Sequence, residues 1–206
     1  MIDALRRHRL VAILRAGDTS RFTEVASVLY ASGVRLLEAT LTSPGAAASI
    51  TAIRAALPDD ALVGAGSVRL PSDVDTAVDA GARFLVTPTV SPAVLDRARE
   101  RDVPVLAGAF TPTEIDQAWH LGAAAVKVFP AREAGGTAFV RAVRAPLPDV
   151  PLVPTGGVEL SDVEAYLNAG AVAVAAASPL LGDALIGGSL DELSTRAAQF
   201  VAAAAS

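Results

Sequence analysis

AAAVKVFPA, residues 123–131, carries a lysine inside an apolar run, and its alternation sets the frame for the chain. A β-strand sends successive side chains to opposite faces. Val126 and Val128 therefore share one face, while Ala125, Lys127 and Phe129 share the other. If the valines pack against helices, the lysine points into whatever the strand encloses. The remainder of the chain supplies the enclosure. LVAILRA (10–16), LLEATL (36–41), ALVGAGSV (61–68), FLVTPT (84–89), PVLAGAF (104–110), PLVPTGG (151–157) and VAVAAAS (172–178) are short β-branched or small-residue runs that read as buried parallel strands; AVKVFP (125–130) is the eighth. Helical patterns lie between them, as in 19–33, 70–82, 111–123 and 160–171. Several open on Ser, Thr or Asp and close on glycine. The closing glycines Gly33, Gly81, Gly122 and Gly170 are 48, 41 and 48 residues apart, about two βα units each. Strict alternation without a long linker favours a single (β/α)8 barrel over residues 1–206 rather than an open doubly wound sheet.

Composition narrows the chemistry. The net charge is −5 and the pI near 5.0, and the one arginine cluster, Arg6, Arg7 and Arg9, reads as the solvated face of a first helix, so no nucleic-acid surface is expected. Hydrophobic residues make up 52% of the chain, much of it alanine in helical segments, and no run approaches the roughly 18 apolar residues of a membrane span. MIDALRRHRLVAILRAG has too short an apolar stretch before Arg15 for a signal-peptide core, which leaves a cytoplasmic location as the expectation. There is no cysteine, and His8 and His120 have no ligand spacing, so neither a thiolate, a metal site nor a cofactor is expected. Lysine, carboxylates, hydroxyls and backbone groups remain.

Of 17 basic residues, 16 are arginine and one is Lys127. A guanidinium stays protonated and cannot add to a ketone, whereas an amine stripped of water by apolar neighbours becomes a nucleophile. In LLEATL the same parity groups Leu36, Glu38 and Thr40. If that face is the inner one, a carboxylate and an amine meet inside the barrel. A structural ion pair would explain both, but such a pair is a poor stabiliser because both desolvation costs must be recovered. An imine to a 2-keto acid makes an electron sink that lets a nearby carbon–carbon bond break, and that step needs a proton acceptor such as Glu38.

The segments LLEATLTSP, VGAGSV, TPT, GAFTPTEI, VKVFPA, PTGGV and the Ser178 after the eighth strand occur in one order over nearly the whole chain. In that order and spacing the chain resembles the 2-keto-3-deoxy-6-phosphogluconate (KDPG) aldolase family. The resemblance implies a metal-independent class I aldolase with a barrel fold. It also implies a homotrimer and a small-molecule substrate, a 2-keto acid cleaved to pyruvate and glyceraldehyde 3-phosphate. Some members act on 4-hydroxy-2-oxoglutarate. By the same resemblance, Lys127 is the Schiff-base lysine and Glu38 the general acid/base. Arg15, Thr42, Ser67, Pro88, Phe129 and Thr155 contact substrate, and Gly156, Gly157 and Ser178 hold its phosphate. The less favoured reading of Arg15 is a rim arginine without a substrate contact.

Two departures bear on the substrate. Thr42-Ser43-Pro44 stands closer to the pattern of the related phosphogalactonate (KDPGal) enzymes than to the arginine of the phosphogluconate type, whereas Thr155 matches the phosphogluconate type. AASP (176–179) replaces a common Gly-Gly-Ser, and methyl groups from Ala176 and Ala177 beside the phosphate would weaken its binding or mark an unphosphorylated substrate. A phosphate-binding barrel enzyme without an imine, or a non-catalytic ligand-binding barrel, would account for PTGGV but leave Lys127 without a chemical reason.

Overall fold

Strand and helix alternate from end to end in the computed structural model, which describes residues 1–205. In chain order the elements are α1 (Ile2–His8), β1 (Leu10–Leu14), α2 (Phe22–Ala31), β2 (Leu36–Thr40), α3 (Ala46–Ala56), β3 (Leu62–Gly66), α4 (Pro71–Asp79), β4 (Leu85–Val86) and α5 (Pro92–Glu100). The second half continues with β5 (Val105–Ala109), α6 (Pro112–His120), β6 (Ala125–Val128), α7 (Gly136–Arg144), β7 (Leu152–Pro154), α8 (Val163–Asn168), β8 (Val174–Ala176), α9 (Ser178–Leu181) and α10 (Leu190–Ala205). Every paired strand is parallel to its neighbours, in the order β7-β6-β5-β4-β3-β2-β1-β8. The ends of that order meet: Thr155 bridges Ala175, and the Val172 N–H donates to the Leu152 carbonyl at 3.0 Å. The fold is a (β/α)8 barrel.

Parity divides the apolar residues into two cores. Val11, Ile13, Leu36, Phe84, Val86, Leu106, Ala125, Val153, Ala173 and Ala175 fill the barrel interior. Leu37, Ala39, Val126 and Val128 belong to the layer between strands and helices. The expected parity of β2 and β6 therefore holds. Leu5 joins the interior cluster with Met1, Ile2 and Ala4 packed beside it, so α1 plugs the end from which the strands start. A solvated first helix was expected from Arg6 and Arg7; these are exposed, but the other face of α1 is core, and Arg9 is the left-handed cap that ends it.

Helix boundaries follow local chemistry. Thr111 caps α6, its Oγ1 accepting from the Glu114 N–H at 3.3 Å while the Glu114 carboxylate accepts from the Thr111 and Phe110 N–H groups at 2.8 and 2.9 Å. Those donors hold the Glu114 carboxyl below the usual carboxylate range. Gly33, Gly81, Gly122 and Gly170 all have φ between +90° and +102°, the left-handed geometry that ends a helix at low cost only in glycine.

The fourth strand is shorter than its sequence run, two residues against the six of FLVTPT. After Val86 the chain leaves the ladder: Thr87 Oγ1 donates to the Thr89 carbonyl at 2.7 Å and accepts from the Gly108 N–H at 3.1 Å. The turn presses on β5 so closely that a Cβ on Gly108 would lie 2.4 Å from the Pro88 carbonyl. Pro88 is thereby set against the strand that neighbours β6.

The plug is testable. Leu5→Ala is expected to cost about 2–5 kcal/mol in urea unfolding, the range for a large core side chain cut to Ala, with kcat unchanged because the strand ends opposite are untouched. A loss below about 0.5 kcal/mol would show that α1 is not part of the core.

Candidate active site

The C-terminal ends of the strands converge on one open cavity with two lobes. The larger lobe, about 370 Å³, is lined by Arg15, Lys127, Phe129, Thr155, Gly156, Gly157 and Ser178 among others. The smaller, about 290 Å³, is lined by Arg15, Thr42, Ser67, Arg69, Pro88, Lys127 and Phe129. Arg15, Lys127 and Phe129 are common to both. Ten of the eleven residues singled out from the sequence thus line one cavity, and Glu38 lies just inside the barrel from it.

Lys127 is 5% exposed, on β6 opposite Gly108 of β5 and Val153 of β7, with Phe129 two positions further along the same face. Its Nζ stands 5.2 Å from the centroid of the Phe129 ring, a cation–π distance. No carboxylate forms an ion pair with it among the described residues. A closed Glu38–Lys127 salt bridge, the structural explanation for keeping both residues, is absent.

Glu38 is 1% exposed and its Oε1 has no hydrogen-bond partner among the described residues. Its room comes from β3: a Cβ on Gly66 would fall 1.8 Å from that oxygen and 2.5 Å from Cδ. The glycines of VGAGSV are therefore spatial requirements. Gly64 does the same for Phe84, whose ring would stand 2.6 Å from an added Cβ. An unpaired buried acceptor is costly, and costs of this kind concentrate where a ligand supplies the missing donor.

Hydroxyls and one guanidinium rim the strand ends. Ser67 follows β3 with φ +59°, a left-handed backbone that non-glycine residues seldom adopt, and its Oγ accepts from Arg15 Nη2 at 3.3 Å. Thr40 and Ser43 share a hydrogen bond at 3.2 Å, and Ser43 Oγ accepts from the Ala16 N–H at 3.1 Å, tying the ends of β1 and β2 together. Thr42 Oγ1 donates to Thr40 Oγ1 at 3.4 Å. Thr155, 3% exposed, donates to the Val153 carbonyl at 3.2 Å, leaving its oxygen lone pairs toward the cavity. Gly156, at φ +92°, would bring an added Cβ to 3.2 Å from the Phe129 ring. That turn therefore lies close over the lysine strand.

The alanines beside Ser178 separate by parity. Ala177 lines the larger lobe, but Ala176 packs into the helix-side core, so only one of the two expected methyl groups reaches the cavity. Sequence reasoning missed Ile13, Arg69, Val158, Leu181, Leu185 and Ile186. Ile13 was within reach, since it shares a face with Arg15. The others stand on loops, on the four-residue α9 or on a three-residue 3-10 turn at Ala184–Ile186, where no period marks a direction. Among the described residues no cluster of His, Cys, Asp and Glu could hold a metal, and no helix is long and apolar enough to cross a membrane.

Comparison with known proteins points to one family. The family model described as KDPG and KHG aldolase matches residues 1–194. A 2-dehydro-3-deoxy-phosphogluconate aldolase of Treponema pallidum is 35% identical over 81% of this chain and 79% of its own. A native KDPGal structure superposes with a TM-score of 0.86 at 34% identity, covering 94% of this chain and 93% of that one. A KDPG aldolase from Legionella pneumophila, with pyruvate captured as a covalent carbinolamine intermediate, gives 0.88 at 25% identity and covers 96% of each chain.

The Glu38–Gly66 contact makes a prediction. Gly66→Ala must push the carboxylate aside, and a displacement near 1 Å costs on the order of 10²-fold in kcat. Unchanged kcat in a variant with native circular dichroism would show that the position of Glu38 is immaterial.

Proposed function

We infer the reaction from one premise: the chain belongs to the KDPG and KHG aldolase family. It is an aldolase, a carbon–carbon lyase. The proposed mechanism is class I, with Lys127 as the imine-forming amine and Glu38 as the acid/base. The proposed reaction is cleavage of 2-keto-3-deoxy-6-phosphogluconate to pyruvate and D-glyceraldehyde 3-phosphate. One observation carries this reading: the chain's single lysine lies on the wall shared by both lobes of the cavity, one lobe for each half of a substrate.

The Lys127 amine adds to the C2 carbonyl, and loss of water leaves an iminium. Glu38 takes the proton of the C4 hydroxyl as the C3–C4 bond breaks. The bonding pair moves into the C2–C3 bond and toward the iminium nitrogen, giving an enamine, while C4 departs as the aldehyde. Protonated Glu38 then returns its proton to C3. Water hydrolyses the resulting iminium, releasing pyruvate and the free amine. Between turnovers the carboxylate has no protein donor for Oε1, which suits an oxygen whose partner is the substrate hydroxyl. No metal or cofactor enters these steps.

In this reading Arg15, Thr42, Ser67 and Pro88 enclose the keto-acid end, and Phe129 packs along the imine. Thr155 accepts a hydrogen bond from a substrate hydroxyl. Gly156, Gly157 and Ser178 receive the phosphate, where the open backbone of the two glycines lets the anion approach. A second reading, KDPGal or an unphosphorylated keto-deoxy acid such as 4-hydroxy-2-oxoglutarate, has its own support. The larger lobe is rimmed by Leu181, Leu185 and an 80% exposed Ile186, and Ala177 adds a methyl group beside Ser178. A homotrimer is proposed from the resemblance, with a cytoplasmic location proposed beside it, and light scattering in solution would return three chain masses.

Two measurements check the proposal. Lys127→Arg and Lys127→Met are each expected to abolish cleavage while circular dichroism stays native, and Glu38→Gln to lower kcat by about 10²–10⁴-fold. Retained turnover in either lysine variant would mean a route without an imine. Across substrates, kcat/KM is expected to be at least about tenfold higher for the 6-phosphogluconate-type acid than for the phosphogalactonate-type or unphosphorylated acids. The reverse order would transfer the assignment to the second reading.

A further inference from the structure

Arg69 was not among the residues singled out from the sequence, and it lines only the smaller lobe. It follows Ser67 and Val68 on the turn between β3 and α4, and its side chain is exposed at the cavity mouth. Its surroundings leave the guanidinium unspent. Asp73, the nearest acid in the chain, uses Oδ2 on the backbone N–H groups of Arg69 and Leu70, at 2.8 and 2.9 Å. Among the described residues no carboxylate lies within ion-pair distance of the Arg69 side chain, and none accepts a hydrogen bond from it. Among the described residues no acidic side chain lines that lobe, whereas Arg15, Arg69 and Lys127 all do. Arg15 is partly committed, donating to Ser67 Oγ, and faces both lobes.

Bond lengths then restrict where the substrate's charge can sit. In a 2-keto acid the carboxylate carbon is bonded to the carbon that Lys127 attacks, so the carboxylate must occupy a lobe sharing the Lys127 wall. The smaller lobe brings a free guanidinium and the hydroxyls of Thr42 and Ser67 to that wall. A planar guanidinium grips a carboxylate through two parallel N–H donors. We propose that Arg69 is the specificity-determining residue for the keto-acid carboxylate: it fixes that group in the smaller lobe and so directs the aldehyde half toward Gly156, Gly157 and Ser178. The assignment rests on the imine reading of Lys127.

Borohydride trapping separates the two claims. Wild-type protein, Arg69→Gln and Arg69→Lys are incubated with increasing pyruvate, or with methyl pyruvate, which keeps the ketone and lacks the charge. The reduced adduct is then quantified by mass. Arg69→Gln is expected to raise the half-saturating pyruvate concentration about tenfold, a modest value for an exposed guanidinium, and to leave that for methyl pyruvate unchanged; Arg69→Lys should recover part of the loss. Inhibition of cleavage by inorganic phosphate should not change in any variant. Equal shifts for both ketones would indicate a packing role, and no shift would indicate none; either overturns the inference. So does weaker phosphate inhibition in Arg69→Gln, which would put the phosphate in this lobe. Absence of any adduct in the wild-type protein removes the imine reading and this inference with it.

Discussion

Glu38 lies across the bare backbone of Gly66, and the rest of the site depends on that contact. It places a carboxylate inside the barrel, near the strand ends, with one oxygen unpartnered. An unsatisfied buried acceptor costs on the order of 1–3 kcal/mol, and more when charged. The two packed layers of apolar side chains, inside the strands and between strands and helices, offset that cost. In the proposed mechanism a substrate hydroxyl supplies the missing bond, which places the cost where binding and proton transfer would use it.

Closure of the sheet makes the constellation possible. β2 and β6 are separated by three strands, yet in a closed barrel their inner faces look across the same interior. β7 and β8 are short, and the Thr155–Ala175 bridge completes the ring at the level of the cavity. The same place bears Gly156, Gly157 and Ser178, so the last pairing of the barrel also shapes the larger lobe. Fold and site share residues here: the turns that end the strands are the turns that line the cavity.

Much of this was legible in the sequence because strand parity is a hard rule. Lys127, Glu38 and Phe129 could be directed inward once β6 and β2 were recognised, Arg15 came only from the family resemblance, and the helix-closing glycines marked the repeat. Three features were not legible, each for a physical reason. The plug formed by α1 hides in a short helix whose arginines face water while Leu5 faces the barrel. The early end of β4 depends on a Thr87 side chain replacing ladder bonds, which no pattern in FLVTPT reveals. Arg69 lies on a turn, where neither a period of 2 nor of 3.6 assigns a direction. Ala176 and Ala177 looked equivalent in sequence; strand alternation separates them, leaving Ala177 at the cavity.

The central claim is a division of labour, with Lys127 holding pyruvate as an enamine and Glu38 moving the proton at its methyl carbon. Deuterium exchange into pyruvate reads both at once, because the methyl group exchanges only when an enamine forms and is reprotonated. In D₂O the wild-type protein should erase the methyl proton signal, Lys127→Met should leave it intact, and Glu38→Gln should slow exchange by about 10²–10⁴-fold while still forming a borohydride-reducible adduct. Exchange by Lys127→Met, or undiminished exchange by Glu38→Gln, would contradict the account.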